Sequence, residues 1–339
     1  MKIIKTGGLR LKKVKVFELG GTISAQGNNR LDYKDYTSGA YDGNTFMDDI
    51  PELRNIADVT FETFLRISST AIQPKHWLQL RKKIIHALEK ENMDGIVVTH
   101  GTNTLEETAY FLHLTLPTTK PVIITGAQRP YTAFSTDGPN NLIQSIRAAA
   151  SEAAYHKGVL VLLNDEINSA REATKTNTYR LETFQSGQLG FLGYVDVDGE
   201  TVFYQTPHKK HTAQSIFSAI KIDHLPSVEI IYSYAGATGD YIEYIAKSKK
   251  VQGIVAAGTG AGLVSPSEQR TLEAAAAAGI TIVRSSRVEN GRVLPVELYE
   301  KTSFITADNL NPQKARILLM LSLVWTTNCT EIQRYFQEL

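Results

Sequence analysis

Two threonines, each preceded by a glycine and a short apolar run, have the residue types and spacing for hydrolytic chemistry. They are Thr22, which follows Gly21, and Thr102, which follows Gly101. A threonine hydroxyl is a weak nucleophile until a base takes its proton and a donor stabilises the developing oxyanion. Lysine becomes such a base when burial lowers its pKa, and Lys175 lies in a long polar loop. These residues favour acyl transfer through an activated hydroxyl; the alternative for Lys175 alone is an ordinary solvated lysine of a loop.

The elements that must position these residues are predicted from the periodicity of the apolar residues. Continuous apolar runs predict strands covered on both faces of a parallel sheet. They occupy residues 14–19, 95–99, 122–125, 159–163, 228–232, 254–257 and 280–283. Segments of helical period occupy residues 74–90, 105–114, 140–155, 241–247, 266–278 and 312–326. The alternation of the two predicts an α/β fold. Ser265 and Asn311 precede prolines and are the expected N-caps of the last two helices.

A polar stretch interrupts this alternation beyond the middle of the chain, and the alternation resumes at residue 228. We therefore predict a larger parallel-sheet domain at residues 1–205, a linker at 206–226 and a smaller α/β domain at 227–339. A chain of 339 residues is long enough for two such domains.

Composition and charge exclude several classes of protein. Hydrophobic residues make up 42% and charged residues 21%, as in globular chains with a sizeable core. The net charge is +1 and no basic stripe is interleaved with aromatics, so we expect a small ligand and no nucleic acid. The single cysteine, Cys329, cannot form an intramolecular disulfide. No apolar run suits a membrane helix, and the run after the basic segment 1–13 is too short for a signal peptide, which predicts a cytoplasmic protein.

Motifs of other chemistries are missing or incomplete. The sequence has no G-x-S-x-G, H-E-x-x-H, paired C-x-x-C or P-loop motif. Gly258, Gly260 and Gly262 form a weak dinucleotide signal without the helix start that this motif requires. His208 and His211 lack a third ligand at metal spacing, so we interpret them as surface residues and expect no metal site.

Polar loops follow three of the predicted strands, at residues 20–22, 100–104 and 126–130. In doubly wound sheets, ligands bind beyond the carboxyl ends of the strands. A single glycine–threonine pair is an ordinary turn, but three such loops at one sheet edge predict a shared crevice.

Taken in order, the motifs resemble those of the bacterial L-asparaginase and glutaminase-asparaginase family. The matching stretches are GGTIS (20–24), GIVVTHGTNTLEETAYFL (95–112), STDGP (135–139), TKTNT (174–178), SSRV (285–288) and LNPQKAR (310–316). The resemblance implies hydrolysis of a small-molecule amide through an acyl-enzyme, without a metal or an organic cofactor. It also implies a homotetramer, built as a dimer of dimers, with active sites shared at the dimer interface.

The resemblance assigns roles to four catalytic residues. Thr22 corresponds to the nucleophile, and Tyr36, in a mobile loop, corresponds to its proton-handling partner. Thr102 with Lys175 corresponds to a second group, which activates a water or assists the first threonine.

The resemblance also implies a set of substrate-binding residues. Ser69 corresponds to the residue that holds the substrate carboxylate. Glu297 corresponds to an acidic residue lent by the neighbouring subunit. The remaining expected contacts come from Gly21, Thr70, Gly101 and Asn103.

Four positions depart from the family pattern. Asn103 stands where the family has aspartate, and Thr70 where it has glutamine or glutamate. Ala261 and Leu263 replace asparagines of a glycine loop. In the family these positions surround the α-ammonium of the substrate, and a buried ammonium without an anionic partner is costly. We therefore expect an amide that lacks a free α-ammonium or carries a substituent there. The alternative is that Glu297 alone suffices and that L-asparagine remains the substrate.

The change to Asn103 also bears on catalysis. If its side chain adjoins Lys175, the loss of a carboxylate lowers the pKa of the lysine and favours a neutral base. The altered ammonium site leaves a second function open, a ligand-binding or regulatory protein that has the same fold and weak catalysis.

Overall fold

A mixed sheet of eight strands forms the centre of the N-terminal half. The computed structural model describes residues 10–339, so residues 1–9 of the predicted basic segment and domain lie outside the described residues. The strands of this half are β1 (Lys13–Glu18), β2 (Gln26–Gly27), β3 (Tyr36–Thr37), β4 (Asp58–Thr63), β5 (Gly95–Thr99), β6 (Val122–Thr125), β7 (Val159–Leu163), β8 (Glu166–Ser169), β9 (Thr174–Lys175), β10 (Phe184–Gln185), β11 (Gly193–Val195) and β12 (Thr201–Phe203). The eight-stranded sheet has the order β12-β11-β8-β7-β6-β5-β1-β4. The other four strands form two short pairs, β2 with β3 and β9 with β10.

The predicted parallel core of this sheet is confirmed. Strands β4, β1, β5, β6 and β7 run parallel to one another. Strands β8, β11 and β12 extend the sheet with antiparallel pairing, which the sequence analysis did not anticipate. Edge strand β4 also was not predicted, because its residues are half-buried or exposed and form no continuous apolar run.

From residue 10 onward, five α-helices belong to this half. They are α1 (Gly43–Asp49), α2 (Leu53–Ile56), α3 (Pro74–Glu89), α4 (Leu105–Thr115) and α5 (Gly138–Ala150). The prediction of one helix over residues 140–155 was wrong in its length. Ser151 is extended, and its side chain accepts a hydrogen bond from the backbone N–H of Ala153, which starts a separate 3-10 turn. A cap at this position ends α5 and begins the next turn.

The C-terminal half is built on a parallel sheet of four strands. These are β13 (Val228–Tyr232), β14 (Gly253–Gly258), β15 (Thr281–Ser286) and β16 (Ile305–Thr306), paired in that order. Its helices are α6 (Asp240–Lys247), α7 (Pro266–Ala277), α8 (Pro312–Trp325) and α9 (Cys329–Glu338). Both predicted N-caps are confirmed: Ser265 Oγ accepts from Glu268 N at 3.1 Å, and Asn311 Oδ1 accepts from Lys314 N at 3.0 Å. Strand β16 and helix α9 were not predicted.

One apolar cluster joins the two halves. It contains Leu112 of α4, Leu318 of α8 and Val255 of β14, all fully buried, and α4 packs directly against α8. The position of α8 relative to the N-terminal sheet is therefore fixed by shared core packing. The N-terminal sheet ends with β12 and the C-terminal sheet begins with β13, while the exact limits of the domains and of the linker at 206–226 stay predictions.

The segment after β12 corrects one expectation about histidines. His208 is exposed as predicted, but His211 is buried, and its ring centroid lies 5.0 Å from that of His113. Its surface assignment was wrong because this segment packs against α4. Within residues 10–339, no group of three metal-ligating side chains could hold a metal ion. No helix in that range is long and apolar enough to cross a membrane.

Candidate active site

The carboxyl ends of β1 and β5 meet at a cavity of about 800 Å³. Its wall combines loops of the N-terminal half with Gln313 of α8. Among the residues singled out by the sequence analysis, it contains Gly21, Thr22, Tyr36, Ser69, Gly101, Thr102, Asn103 and Lys175. Of the residues assigned a catalytic or substrate-binding role, only Thr70 and Glu297 lie outside this cavity wall.

Gly21 allows the two threonine loops to touch. Its backbone has φ 86° and ψ −173°, a conformation that essentially only glycine adopts. A Cβ at this position would lie 2.4 Å from Gly101 Cα. The next residue, Thr22, begins a single 3-10 turn and is buried, so its hydroxyl is held next to the loop that carries Thr102.

The first hydroxyl pair joins Thr22 to Tyr36. Their side-chain oxygens are 2.9 Å apart, and either oxygen can be the donor. Tyr36 lies in β3, whose partner β2 follows the turn of Thr22. Tyr36 is 37% exposed, whereas Thr22 is 6% exposed. The tyrosine can therefore pass a proton between a buried hydroxyl and a ligand in the cavity.

The second pair joins Thr102 to Lys175. Lys175 Nζ donates to Thr102 Oγ1 at 2.8 Å, and burial lowers the pKa of Lys175 below its ordinary value. A lowered pKa favours the neutral amine, which can take a proton from the threonine or from a water. Asn103 is exposed in the cavity wall, and its side chain makes no hydrogen bond with any other residue between 10 and 339. The expected effect of Asn103 on Lys175 stays a prediction.

The predicted substrate-binding residues divide into two groups. Ser69 is buried beside Gly101, where an added Cβ would come within 2.7 Å of Ser69 Oγ. Thr70 is exposed outside the cavity wall, with its hydroxyl 2.9 Å from Ser68 Oγ. Glu297 is exposed at the start of a 3-10 turn in the C-terminal half and does not line the cavity of its own chain. Ala261 and Leu263 likewise lie outside this wall.

A buried chain of hydrogen bonds holds the backbone just before Thr102. Trp77 Nε1 donates to Thr108 Oγ1 at 2.9 Å, which lies 2.8 Å from His100 Nε2. The Gly101 carbonyl can only accept, so His100 Nδ1–H donates to it at 2.8 Å, and His100 Nε2, which carries no proton in the neutral ring, accepts from the Thr108 hydroxyl. Burial lowers the pKa of His100 to about 4, so the ring is neutral. The Gly101 C=O and the Thr102 N–H belong to the same trans peptide bond and point in opposite directions. The hydrogen bond from His100 to this carbonyl therefore fixes the direction of the Thr102 N–H.

Glu106 and Gln313 were missed as site residues. Glu106 lies in the first turn of α4 and is 5% exposed, yet it also lines the cavity. Gln313 Nε2 donates to its carboxylate across the boundary between the two halves. Glu106 lies inside the motif GIVVTHGTNTLEETAYFL and Gln313 inside LNPQKAR. A carboxylate at the start of a largely apolar helical run was a signal for Glu106, and Gln313 gave none.

Comparisons with known proteins match both halves of the chain. Residues 13–209 match the family described as Asparaginase, N-terminal, and residues 227–336 match the Glutaminase/Asparaginase C-terminal domain. The chain belongs to the asparaginase family. Its relative L-asparaginase 2 of Bacillus subtilis (strain 168) is 42% identical over 328 residues, which cover 97% of this chain and 87% of the relative.

Two further asparaginases span nearly the same length. The probable periplasmic L-asparaginase of Haemophilus influenzae is 39% identical over 330 residues, covering 97% of this chain and 93% of the relative. The crystal structure of a probable cytoplasmic L-asparaginase from Campylobacter jejuni shares 39% identity and a TM-score of 0.93, covering 97% of this chain and 100% of that one. The predicted family, the two-part α/β fold and the class of enzyme, an asparaginase-type amidohydrolase, are confirmed.

Proposed function

We propose that this asparaginase cleaves the carboxamide C–N bond of a small molecule through an acyl-enzyme on Thr22. One observation carries the proposal: the cavity holds two hydroxyls, each within hydrogen-bonding distance of its own proton partner. Thr22 Oγ1 lies 2.9 Å from Tyr36 OH, and Thr102 Oγ1 lies 2.8 Å from Lys175 Nζ. Two separately activated oxygens suit a reaction in which an ester forms and is then hydrolysed.

In the first half-reaction, Thr22 Oγ1 attacks the carboxamide carbon. Its proton moves to the Tyr36 oxygen while the phenolic proton of Tyr36 moves to the leaving nitrogen, so the C–N bond breaks and ammonia departs. In the second, neutral Lys175 takes a proton from water through Thr102, and the water attacks the ester. The bond to Thr22 breaks and a proton returns to its oxygen, which leaves the acid product and the original enzyme. Both half-reactions use only side chains of this chain and water.

The charge of the cavity bears on the substrate. Its charged lining residues are Lys34, Glu106 and Lys175. The carboxylate of Glu106 already accepts from four donors. The described part of one chain therefore offers no free carboxylate to an α-ammonium, and leaving such a cation unpaired is unfavourable. This supports an amide without a free α-ammonium as the preferred substrate.

L-asparagine is the second candidate, and the exposed position of Glu297 favours it. We propose a homo-oligomer, a dimer of dimers, in which Glu297 of one subunit completes the cavity of its neighbour. In that assembly, Glu297→Gln raises KM for L-asparagine and leaves KM for succinamate, which lacks the ammonium, unchanged. A sedimentation measurement that finds only monomers at active concentrations would refute the shared site.

Ammonia release from a panel of amides tests the function. We expect release that is lost in both Thr22→Ala and Thr102→Ala, while both variants keep the melting temperature of the wild type. Tight binding of an amide without any turnover would instead support the ligand-binding alternative. A strong preference of the wild type for L-asparagine over succinamate in kcat/KM would reject the substrate that lacks the ammonium.

We propose a cytoplasmic location for the enzyme. The structural relative from Campylobacter jejuni is titled a probable cytoplasmic asparaginase, whereas the Haemophilus influenzae relative is named periplasmic. Cell fractionation decides between the two compartments.

A further inference from the structure

A buried carboxylate lies between the Thr102–Lys175 pair and the C-terminal half. Glu106 occupies the first turn of α4, where α4 packs against α8. Its side chain lines the catalytic cavity, but only 5% of the residue is exposed. A carboxylate that is buried to this extent is unfavourable unless its acceptor sites are filled.

The two oxygens of this carboxylate face different halves of the chain. Oε2 accepts from Thr174 Oγ1 and, at 2.9 Å, from the backbone N–H of Lys175. Oε1 accepts from Gln313 Nε2 and, at 3.5 Å, from Asn311 Nδ2, both at the start of α8. Oε2 is therefore hydrogen-bonded to the strand that carries Lys175, and Oε1 is hydrogen-bonded to the C-terminal half.

This arrangement leaves Glu106 no capacity for other partners. An ionised carboxylate has about four acceptor sites, and four donors occupy them. Glu106 cannot also hold a substrate ammonium or take a proton from water without losing one of these bonds. Its position in the cavity wall is explained by its hydrogen bonds to the Lys175 segment and to the start of α8.

We propose that Glu106 is a positioning residue. Its hydrogen bonds connect the backbone of Lys175 to the start of α8 and so keep Lys175 Nζ within hydrogen-bonding distance of Thr102 Oγ1. The inference rests on the proposed function, because it assigns Lys175 a catalytic role. Lys175 lies in β9, a strand of two residues with a single short partner, β10. So short a pair is weak by itself, and the tie to α8 supplies the rigidity that a catalytic group requires.

Glu106→Gln tests the tie, because a glutamine accepts through one oxygen only. If its NH₂ group faces the Lys175 N–H, two donors meet; if it faces α8, it meets the donors Asn311 Nδ2 and Gln313 Nε2, and the Gln313 amide must turn over to accept. We expect kcat to fall about 10- to 100-fold, the loss expected from a misplacement of about 1 Å, with KM nearly unchanged. Glu107→Gln is the matched control. Glu107 is the next residue of α4, and burial raises its pKa to about 7, so the neutral amide is well tolerated and kcat stays at the wild-type value.

The double variant Glu106→Gln with Gln313→Glu separates positioning from general damage. In this variant the NH₂ group of residue 106 donates to the new carboxylate at residue 313. The carbonyl oxygen of residue 106 is then free to accept from the Lys175 N–H. We expect it to recover at least about tenfold of the lost kcat, as complementary pairs do in a double-mutant cycle. Gln313→Glu alone places two carboxylates together and lowers kcat. If Glu106→Gln does not fold, Gln313→Leu, which removes one donor, lowers kcat severalfold at constant KM.

Wild-type kcat in Glu106→Gln, an equal loss in Glu107→Gln, or a double variant no better than the single would each overturn the proposal. So would wild-type kcat in Gln313→Leu. A wild type that releases no ammonia refutes the proposed function. The positioning of Lys175 by Glu106 is then tested by the rate at which Lys175 itself is chemically labelled. We expect acetic anhydride to label Lys175 several times faster in Glu106→Gln than in the wild type or in the double variant. Equal labelling rates in all three overturn the tie independently of activity.

Discussion

Gly21→Ala perturbs the point where Gly21 of the first threonine loop lies against Gly101 of the second. The alanine Cβ would lie 2.4 Å from Gly101 Cα, while ordinary contacts begin at 3.4 Å. The loops must therefore separate by about 1 Å, and a misplacement of this size costs roughly 100-fold in rate. The backbone conformation of Gly21, with φ 86° and ψ −173°, adds strain of about 1–3 kcal/mol.

Gly236→Ala is the control for strain without a clash. Gly236 has the same φ of 86°, and nothing lies within 4 Å of an added Cβ. It should lower the free energy of unfolding by about 1–2 kcal/mol and leave kcat/KM unchanged. Urea unfolding and ammonia release measure the two effects on both variants. If Gly21→Ala keeps its kcat/KM, or loses no more stability than Gly236→Ala, the contact between the loops does not set the site.

Four further substitutions or measurements follow from the site. Tyr36→Phe removes the proton partner of Thr22, so kcat should fall roughly 10²- to 10⁴-fold; a small change in stopped-flow or steady-state assays would exclude the relay. Burial lowers the pKa of Lys175 and its neutral form is the base, so kcat should rise with pH through that lowered pKa and fall as the pH decreases; a flat profile contradicts this. Thr108→Val leaves a buried indole N–H and a buried imidazole nitrogen unpaired, which should lower the free energy of unfolding by about 2 kcal/mol or more in urea titrations. An unchanged midpoint would show that these hydrogen bonds do not contribute to stability. Asn103→Asp restores an anion to the cavity wall, so the ratio of kcat/KM for L-asparagine over succinamate should increase at least about tenfold, and an unchanged ratio contradicts the role of this position.

The parts of the fold that could be predicted are those in which burial leaves a local pattern. Strands buried on both faces, such as β5 and β7, show continuous apolar runs, and the caps Ser265 and Asn311 use side chains next to the helix that they begin. Strand β4 was not predicted because it lies at the sheet edge, where its residues are half-buried or exposed and form no continuous apolar run. Strands β8, β11 and β12 are short, and their pairing depends on partners elsewhere in the chain.

The candidate site shows the same limit. The glycine–threonine loops are visible in the sequence because they follow recognisable strands, and the resemblance supplied Tyr36 and the role of Lys175. Glu106 could not be found in this way, since its partner Gln313 is 207 positions away and only the packing of α4 on α8 brings them together. The lowered pKa of Lys175 likewise depends on burial, which a polar stretch of sequence does not reveal.

The most direct test of the account is to trap the acyl-enzyme. Thr102→Ala should slow hydrolysis of the ester more than its formation, so acid quenching during turnover should preserve the acyl group on the protein. We predict that peptide mass spectrometry finds the acyl group on Thr22, and that Thr22→Ala neither forms an adduct nor releases ammonia. An adduct on Thr102, or ammonia release that survives in Thr22→Ala, would contradict the assignment of Thr22 as the nucleophile.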